Sequence, residues 1–133
     1  MNRIITKVTY TDHEGKKKTE SYLVLTDSFT EAESKTIKEY EYFKFDNLTI
    51  SSVTRLNIAE IIQDEANIGK WYRIKSEVIV LNERTHAEKR ISQNWLVQAE
   101  DIPKALLRHK TYMSLSDYEV TKVSLTPIID ILS

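Results

Sequence analysis

Three histidines are the side chains in this sequence best suited to proton transfer or metal binding, and none has the neighbours that either chemistry requires. His13 and His86 both fall in predicted hairpin loops without a second histidine at metal-ligand spacing, so we interpret them as exposed loop residues. His109 falls on the apolar side of a predicted helix. One interpretation of His109 is a hydrogen-bonded histidine at the edge of the core, and the alternative is a titrating residue of a site.

Nucleophiles and paired acids are equally hard to assemble. The chain has no cysteine, which excludes a thiolate zinc site, a cysteine nucleophile and a disulfide framework. No serine lies in a nucleophile elbow, and 2 glycines are too few for a loop that cradles phosphate. Carboxylates are plentiful, but nothing selects an acid pair among them. The sequence therefore predicts a protein that is not an enzyme and needs no metal or cofactor.

Aromatic side chains on predicted strands are the stronger lead. Several of them have basic neighbours, and aromatic rings beside cations can stack the bases of single-stranded nucleic acid. The alternative is that strand aromatics form the core, because sheets commonly bury such side chains. The candidate ligand-binding residues are Tyr22, Trp71, Tyr72, Arg73, Trp95 and His109.

The elements that must position these residues occur twice along the chain. Residues 1–66 and 71–133 each follow a β-β-α-β pattern, and residues 67–70 join them. Short apolar segments at about 58–62 and 127–132 are predicted as closing helices. One copy of this size would be a marginal domain, so the two are expected to form one compact unit. The predicted fold is α+β, with tandem repeats, antiparallel sheets, helices packed on one face and a short C-terminal helix in each repeat.

Matched residues in the two halves indicate an internal duplication. Arg3-Ile4 matches Arg73-Ile74 at an offset of 70 positions, whereas Tyr22-Leu23-Val24 matches Trp95-Leu96-Val97 at an offset of 73. The offset changes in predicted loops, where insertions are tolerated. The duplication therefore predicts that equivalent residues occupy equivalent places in two similar structures.

Each predicted helix carries a start signal. Ser28 and Glu31 have the spacing of a capping box, in which the serine caps the helix and the glutamate three residues later accepts the backbone N–H of the serine. Asp101 is the predicted N-cap of the second helix, and Pro103 lies in its first turn, where a missing N–H costs little. Both helices are thus predicted directly behind the second strand of their repeat.

Composition and charge indicate which class of protein this is and where in the cell it is expected. The chain has 133 residues, 41% of them hydrophobic and 29% charged, which is typical of a globular protein. Its formal net charge of −1 lacks the basic excess of a nucleic-acid-binding domain. The N-terminus turns polar too early for a signal peptide, and no apolar run approaches the roughly 20 residues of a membrane span. We therefore expect a soluble, cytoplasmic protein without membrane contact.

Three strand segments carry a family resemblance, namely Trp71-Tyr72-Arg73-Ile74-Lys75, Trp95-Leu96-Val97-Gln98-Ala99 and Tyr22-Leu23-Val24. With them the chain resembles, over nearly its whole length, a domain-of-unknown-function family of small proteins found in Bacteroidetes and their phages. The first copy departs from the aromatic pair of that family, since it opens with Asn2-Arg3. The resemblance implies a fold and an origin, which for a phage-encoded member means the cytoplasm of a bacterial host, and it implies no active site.

Four functional hypotheses follow. The leading one is a non-catalytic binding or adaptor protein that acts through contacts with a protein partner. The second is a small-ligand or nucleotide binder, in which Tyr22 and Trp95 flank a pocket between the copies and Arg73 is the anion partner. The third is binding of single-stranded nucleic acid, and the fourth is a structural or assembly component of a phage. A homodimer is among the partner hypotheses, because formal charges of −3 on residues 1–66 and +2 on residues 67–133 are compatible with head-to-tail contact between subunits.

Overall fold

The chain folds as a mixed α+β protein built mostly from strands, which confirms the predicted fold class at that level. The computed structural model describes residues 2–114 and 116–133. No helix within these ranges is long and apolar enough to cross a membrane. In chain order the elements are β1 (Asn2–Thr11), β2 (Lys17–Thr26), α1 (Phe29–Lys38), β3 (Asp46–Arg55), β4 (Glu60–Ile62), β5 (Lys70–Leu81), β6 (Glu88–Ala99), α2 (Ile102–Tyr112), β7 (Tyr118–Leu125) and β8 (Ile128–Leu132).

The strands form two four-stranded sheets, with strand orders β3-β1-β2-β8 and β4-β6-β5-β7. Each sheet belongs to a compact unit. Unit 1 combines residues 2–57 with Pro127–Ser133, and unit 2 spans Ile58–Thr126. In unit 1, β1 pairs antiparallel with β2 and β3, and β8 runs parallel to β2. In unit 2, β5 pairs antiparallel with β6 and β7, and β4 runs parallel to β6.

The fourth strands correct the prediction of a short closing helix in each repeat. β4 pairs with β6 in unit 2, and β8 pairs with β2 in unit 1. Short apolar runs do not distinguish helix from strand by their periodicity, and the β-branched isoleucines in both segments favour strands. The deciding factor is an edge strand formed by the other half of the chain, β6 for β4 and β2 for β8. Each compact unit therefore takes its fourth strand from the other half of the chain.

Both sheets carry a bulge, between β1 and β3 in unit 1 and between β5 and β7 in unit 2. In unit 1 the ladder shifts between Lys7 and Val8, and the extra residue Ser51 donates its hydroxyl to the Lys7 carbonyl at 3.1 Å. In unit 2 it shifts between Lys75 and Ser76, and Thr121 donates to the Lys75 carbonyl at 3.2 Å. An extra residue disrupts the ladder locally and bends the strand. In each sheet the hydroxyl of the extra residue donates a hydrogen bond to a backbone carbonyl beside the bulge.

Both helices begin where the sequence predicts. The Ser28 Oγ accepts the Glu31 N–H at 3.1 Å, and the Asp101 Oδ1 accepts the Lys104 N–H at 2.9 Å. Instead of closing a reciprocal capping box, the Glu31 carboxylate accepts the Thr26 hydroxyl at 2.5 Å. The side chain therefore ties the start of α1 to the end of β2.

Candidate functional site

The two faces of the second sheet differ because side chains alternate along its strands. On one face, Ile74 of β5 and Trp95 of β6 pack with Ala105 of α2 in the core. Arg73 and Lys75 lie on either side of Ile74 in β5, and both are exposed. The face of the sheet away from α2 is therefore polar and basic at Arg73 and Lys75 of β5.

A cleft of about 260 Å³ opens on this outer face, lined by residues from three adjacent strands. Lys75 of β5 lies opposite Lys122 of β7, and Arg73 lies opposite Ser124. The Arg73 Nε donates to the Asn94 Oδ1 at 3.2 Å, which holds the guanidinium against β6. Five residues form this basic cleft, namely Arg73, Lys75, Asn94, Lys122 and Ser124.

The lining of the basic cleft has three cationic side chains and no carboxylate. Within residues 2–114 and 116–133, none of these three cations takes part in an ion pair. In the neighbouring region of the sheet the cation is paired, because the Arg90 Nη1 lies 2.9 Å from Glu119 and 3.2 Å from Glu77. The hydrogen bonds that Arg90 donates to these carboxylates, that to Glu119 first, raise the pKa of Arg90. Uncompensated positive charge is thus concentrated in the cleft.

The structure buries the four aromatic candidates. Their relative exposures are 7% or less, and they are Tyr22, Trp71, Tyr72 and Trp95. Tyr22 belongs to the core of unit 1 and donates to the Tyr40 hydroxyl at 2.9 Å, whereas Trp95 belongs to the core of unit 2. Rings enclosed by packing present no face to a base or a ligand. Of the six candidate residues, Arg73 is the exposed one.

His109 is enclosed in the core between α2 and the sheet of unit 2. Its ring packs edge-on against Trp95 and Tyr118, with centroids 5.0 and 5.4 Å away. The Nε2 lies 3.4 Å from the Ser76 Oγ, and the buried Nδ1 has no hydrogen-bond partner. Burial lowers the pKa of His109. The residue is therefore a neutral core histidine, which is deeper than the position predicted at the edge of the core.

The other two histidines lie where the sequence predicts, in exposed loop positions. The His13 Nε2 lies 2.6 Å from the Phe43 carbonyl oxygen, so this ring ties the first hairpin to the segment after α1. His86 adopts a positive φ of 56° in the β5–β6 loop. No group of three or more His, Asp or Glu side chains in the described part of the chain is arranged to hold a metal ion.

Arg73 is the one member of the basic cleft among the candidates from the sequence, which missed the other four, namely Lys75, Asn94, Lys122 and Ser124. The alternation of Arg73 and Lys75 on one strand is a signal that both face the same side. The partner across the strand is not a local property, because it depends on the pairing register and on the bulge that precedes Ser76. The cleft is therefore visible only once β5 and β7 are paired.

Comparison with known proteins places the chain in a family. The chain belongs to the family described as domain of unknown function (DUF4494), whose family model matches residues 4–133. The resemblance found in the strand segments is confirmed to that extent. No curated protein and no solved structure matches the chain.

Proposed function

We propose that this chain is a non-catalytic binding protein that holds an anionic group of its partner in the basic cleft. The observation that carries the proposal is the pair Lys75 and Lys122, which lie directly opposite each other on neighbouring strands. Such positions bring the Cβ atoms to roughly 4.5–5.5 Å, where like charges destabilise a sheet. A bound anion offsets this repulsion, so the pair costs stability in the free protein and contributes to affinity in the complex.

The other members of the basic cleft supply hydrogen-bond donors that orient a bound anion. Because the Arg73 Nε is committed to Asn94, the outer nitrogens of the guanidinium are left to donate to two oxygens of a ligand. Asn94 and Ser124 add neutral polar groups. The lining holds no acid or histidine to activate the Ser124 hydroxyl, and this supports binding over catalysis. An acidic segment of a protein partner and a small anionic ligand both suit this set of donors.

We further propose that the two units arose by internal duplication. The paired bulges support it, and matching them aligns Lys7 with Lys75 at an offset of 68. The offset of 70 suggested by the sequence for the first strand is then two residues too long. Under this alignment unit 1 has uncharged side chains where the cleft has Arg73 and Lys122, namely Ile5 and Ser52. The basic cleft is thus a property of unit 2 alone, which supplies matched control positions in unit 1.

The first test removes one of the opposed charges. Lys122→Ser installs the residue found at the aligned position of unit 1, and we expect it to stabilise the ligand-free protein by about 0.2–1 kcal/mol at low salt. Added salt screens the repulsion and should remove that gain. Urea denaturation measures both. The control Lys7→Ser removes a cation that lies opposite Ser52, and a change within about 0.5 kcal/mol is expected. A Lys122→Ser variant that is less stable at low salt would contradict the repulsion.

The second test measures binding. Phosphate, citrate and a polyglutamate peptide are added at low salt, and the melting temperature is followed for the native chain and for Lys122→Ser. At least one anion should raise the melting temperature of the native chain more than that of the variant, because ligand binding stabilises the folded state. Equal shifts for both proteins, or none with any anion, count against the proposed function.

A further inference from the structure

We infer that the basic cleft binds a phosphoryl group, either a phosphomonoester or a diphosphate carried by a compact ligand. The inference rests on the proposed function, because it names the anion that the cleft holds. The charge of the cleft, its donors and its length along the sheet all separate a phosphoryl group from a carboxylate or an extended nucleic-acid backbone.

The positive charge of the cleft exceeds what one carboxylate neutralises. Arg73, Lys75 and Lys122 line a single cavity of about 260 Å³. A carboxylate supplies one negative charge, whereas a phosphomonoester carries about −1.5 to −2 at pH 7 and offers three strong acceptor oxygens. Interaction energy grows with charge at short range. The group with the most negative charge on one centre is therefore bound best.

The donors of the cleft come from three adjacent strands and line one cavity. Lys75 and Lys122 approach from two neighbouring strands, and the Arg73 guanidinium is held on the third side by Asn94. A planar carboxylate satisfies the guanidinium fork and leaves the lysines with no oxygen of their own. A phosphoryl group has enough oxygens for the fork and for both ammonium groups.

The cleft is too short for a nucleic-acid backbone. Farther along β5, Glu77 lies with Glu119 around Arg90, so a polyanion continuing in that direction meets two carboxylates. In the other direction, Trp71 precedes Arg73 on the same face, and its side chain is 1% exposed. The face of β5 is therefore covered at Trp71, and the cleft ends there. Nucleic-acid backbones need a track of cations, and single strands also use aromatic platforms, which the lining of the cleft lacks. The geometry therefore favours a compact ligand.

The test titrates the full chain with pyrophosphate, citrate and a short oligothymidylate at fixed ionic strength. Calorimetry gives affinities, and ¹H–¹⁵N NMR locates the site. We expect pyrophosphate to bind at least about tenfold more tightly than the other two probes, since each charge-assisted hydrogen bond contributes roughly a factor of ten or more. Lys75→Gln should weaken pyrophosphate binding by a similar factor. Lys7→Gln, the same change at the aligned position of unit 1, should leave the affinity within about twofold.

The outcomes separate this inference from the proposed function. Equal affinities for citrate and pyrophosphate, both reduced by Lys75→Gln, overturn phosphoryl selectivity while anion binding in the cleft stands. Tighter binding of the oligothymidylate has the same meaning and points to nucleic acid. Absence of NMR shifts at the cleft with every probe, or equal weakening by Lys75→Gln and Lys7→Gln, overturns both proposals.

Two further probes identify the source of the phosphoryl group. A nucleoside diphosphate represents a small-molecule ligand, and a phosphoserine peptide represents a modified protein partner. Stronger binding of either than of its unphosphorylated counterpart supports the shared chemistry and shows which source the cleft prefers. Binding of the nucleoside or the unmodified peptide with undiminished affinity overturns it.

Discussion

At the scale of single residues, each unit buries one polar contact between its helix and its first strand, and the two contacts differ in quality. In unit 1 the Thr6 and Thr36 hydroxyls lie 2.6 Å apart, and Thr36 also donates to the Ala32 carbonyl at 2.8 Å. In unit 2 the helix contact comes from Ser76 of β5, which aligns with Val8 and not with Thr6; its Oγ lies 3.4 Å from the His109 Nε2, and the His109 Nδ1 has no hydrogen-bond partner. An unpaired buried polar atom costs stability, so His109 is the less favourable arrangement.

The buried His109 makes stability depend on pH. Burial lowers the pKa of His109 in the folded state. The unfolded chain therefore binds a proton more readily than the folded chain. The free energy of unfolding decreases as pH falls below the unfolded pKa of about 6.5. The slope due to this group is at most about 1.4 kcal/mol per pH unit. Urea denaturation between about pH 8 and pH 5 measures it.

The control for this titration is His109→Gln, which keeps a polar side chain and removes the titrating group. His13 and His86 remain in both proteins, so any slope they cause is common to both. The variant should show the shallower loss of stability toward acid pH. Parallel profiles for native and variant chains would assign the pH dependence to other groups.

At the scale of elements, the glycines mark two turns with different tolerance for a side chain. Gly15 has a φ of +81°, and a Cβ added there meets nothing within 4 Å. Gly69, which precedes β5, has a φ of +115°, and a Cβ would lie 2.6 Å from the carbonyl carbon and oxygen of Ala99. The first turn requires only a positive φ, whereas the second also requires close backbone approach.

This difference predicts unequal effects of the same substitution. Gly15→Ala should cost about 1–2 kcal/mol from the left-handed backbone alone. Gly69→Ala should cost about 3 kcal/mol or more, because a clash with backbone that cannot move aside adds to the strain. Denaturation midpoints of the two variants compare them directly. Similar losses would mean that the segment before β5 relaxes away from Ala99.

At the scale of the whole molecule, the chain passes between its units twice, and the fourth strands β4 and β8 depend on that path. Glu60–Ile62 aligns with Trp95–Val97, and Leu132 of the C-terminal strand pairs with Val24. Leu132 is 8% exposed in the core of unit 1, and Ile62 is 6% exposed in the core of unit 2. Each half of the chain thus completes the core of the unit to which it does not otherwise belong.

Equivalent cavity mutations test this exchange of strands. Leu132→Ala and Ile62→Ala should each cost about 2–5 kcal/mol. Hydrogen exchange should accelerate first in β1 and β2 for Leu132→Ala, and first in β5 and β6 for Ile62→Ala. Ile129→Ala, at an exposed position of β8, is the control and should change stability by about 0.5 kcal/mol or less. Unchanged exchange in β2 of Leu132→Ala would mean that β8 contributes nothing to unit 1.

Local signals in the sequence were sufficient where the structure depends on neighbouring residues. Ser28 and Asp101 cap their helices through N–H groups three residues away, and the long strands follow from alternating polar and apolar residues. The aromatic candidates show the limit of such signals. Alternation places Trp71 and Arg73 on the same face of β5, yet Trp71 is buried and Arg73 is exposed. Which of the two is accessible depends on tertiary packing, which alternation does not report.

The sequence by itself therefore determined the α+β class, the two helix starts and the exposed loop histidines, because each depends on contacts only a few residues apart. Tertiary structure decided the rest. The segments 60–62 and 128–132 became strands because sheet edges formed by the other half of the chain, β6 and β2, satisfied their backbone groups. The basic cleft formed because pairing and a bulge placed Lys122 opposite Lys75, 47 positions apart in the sequence, and no local pattern encodes that register.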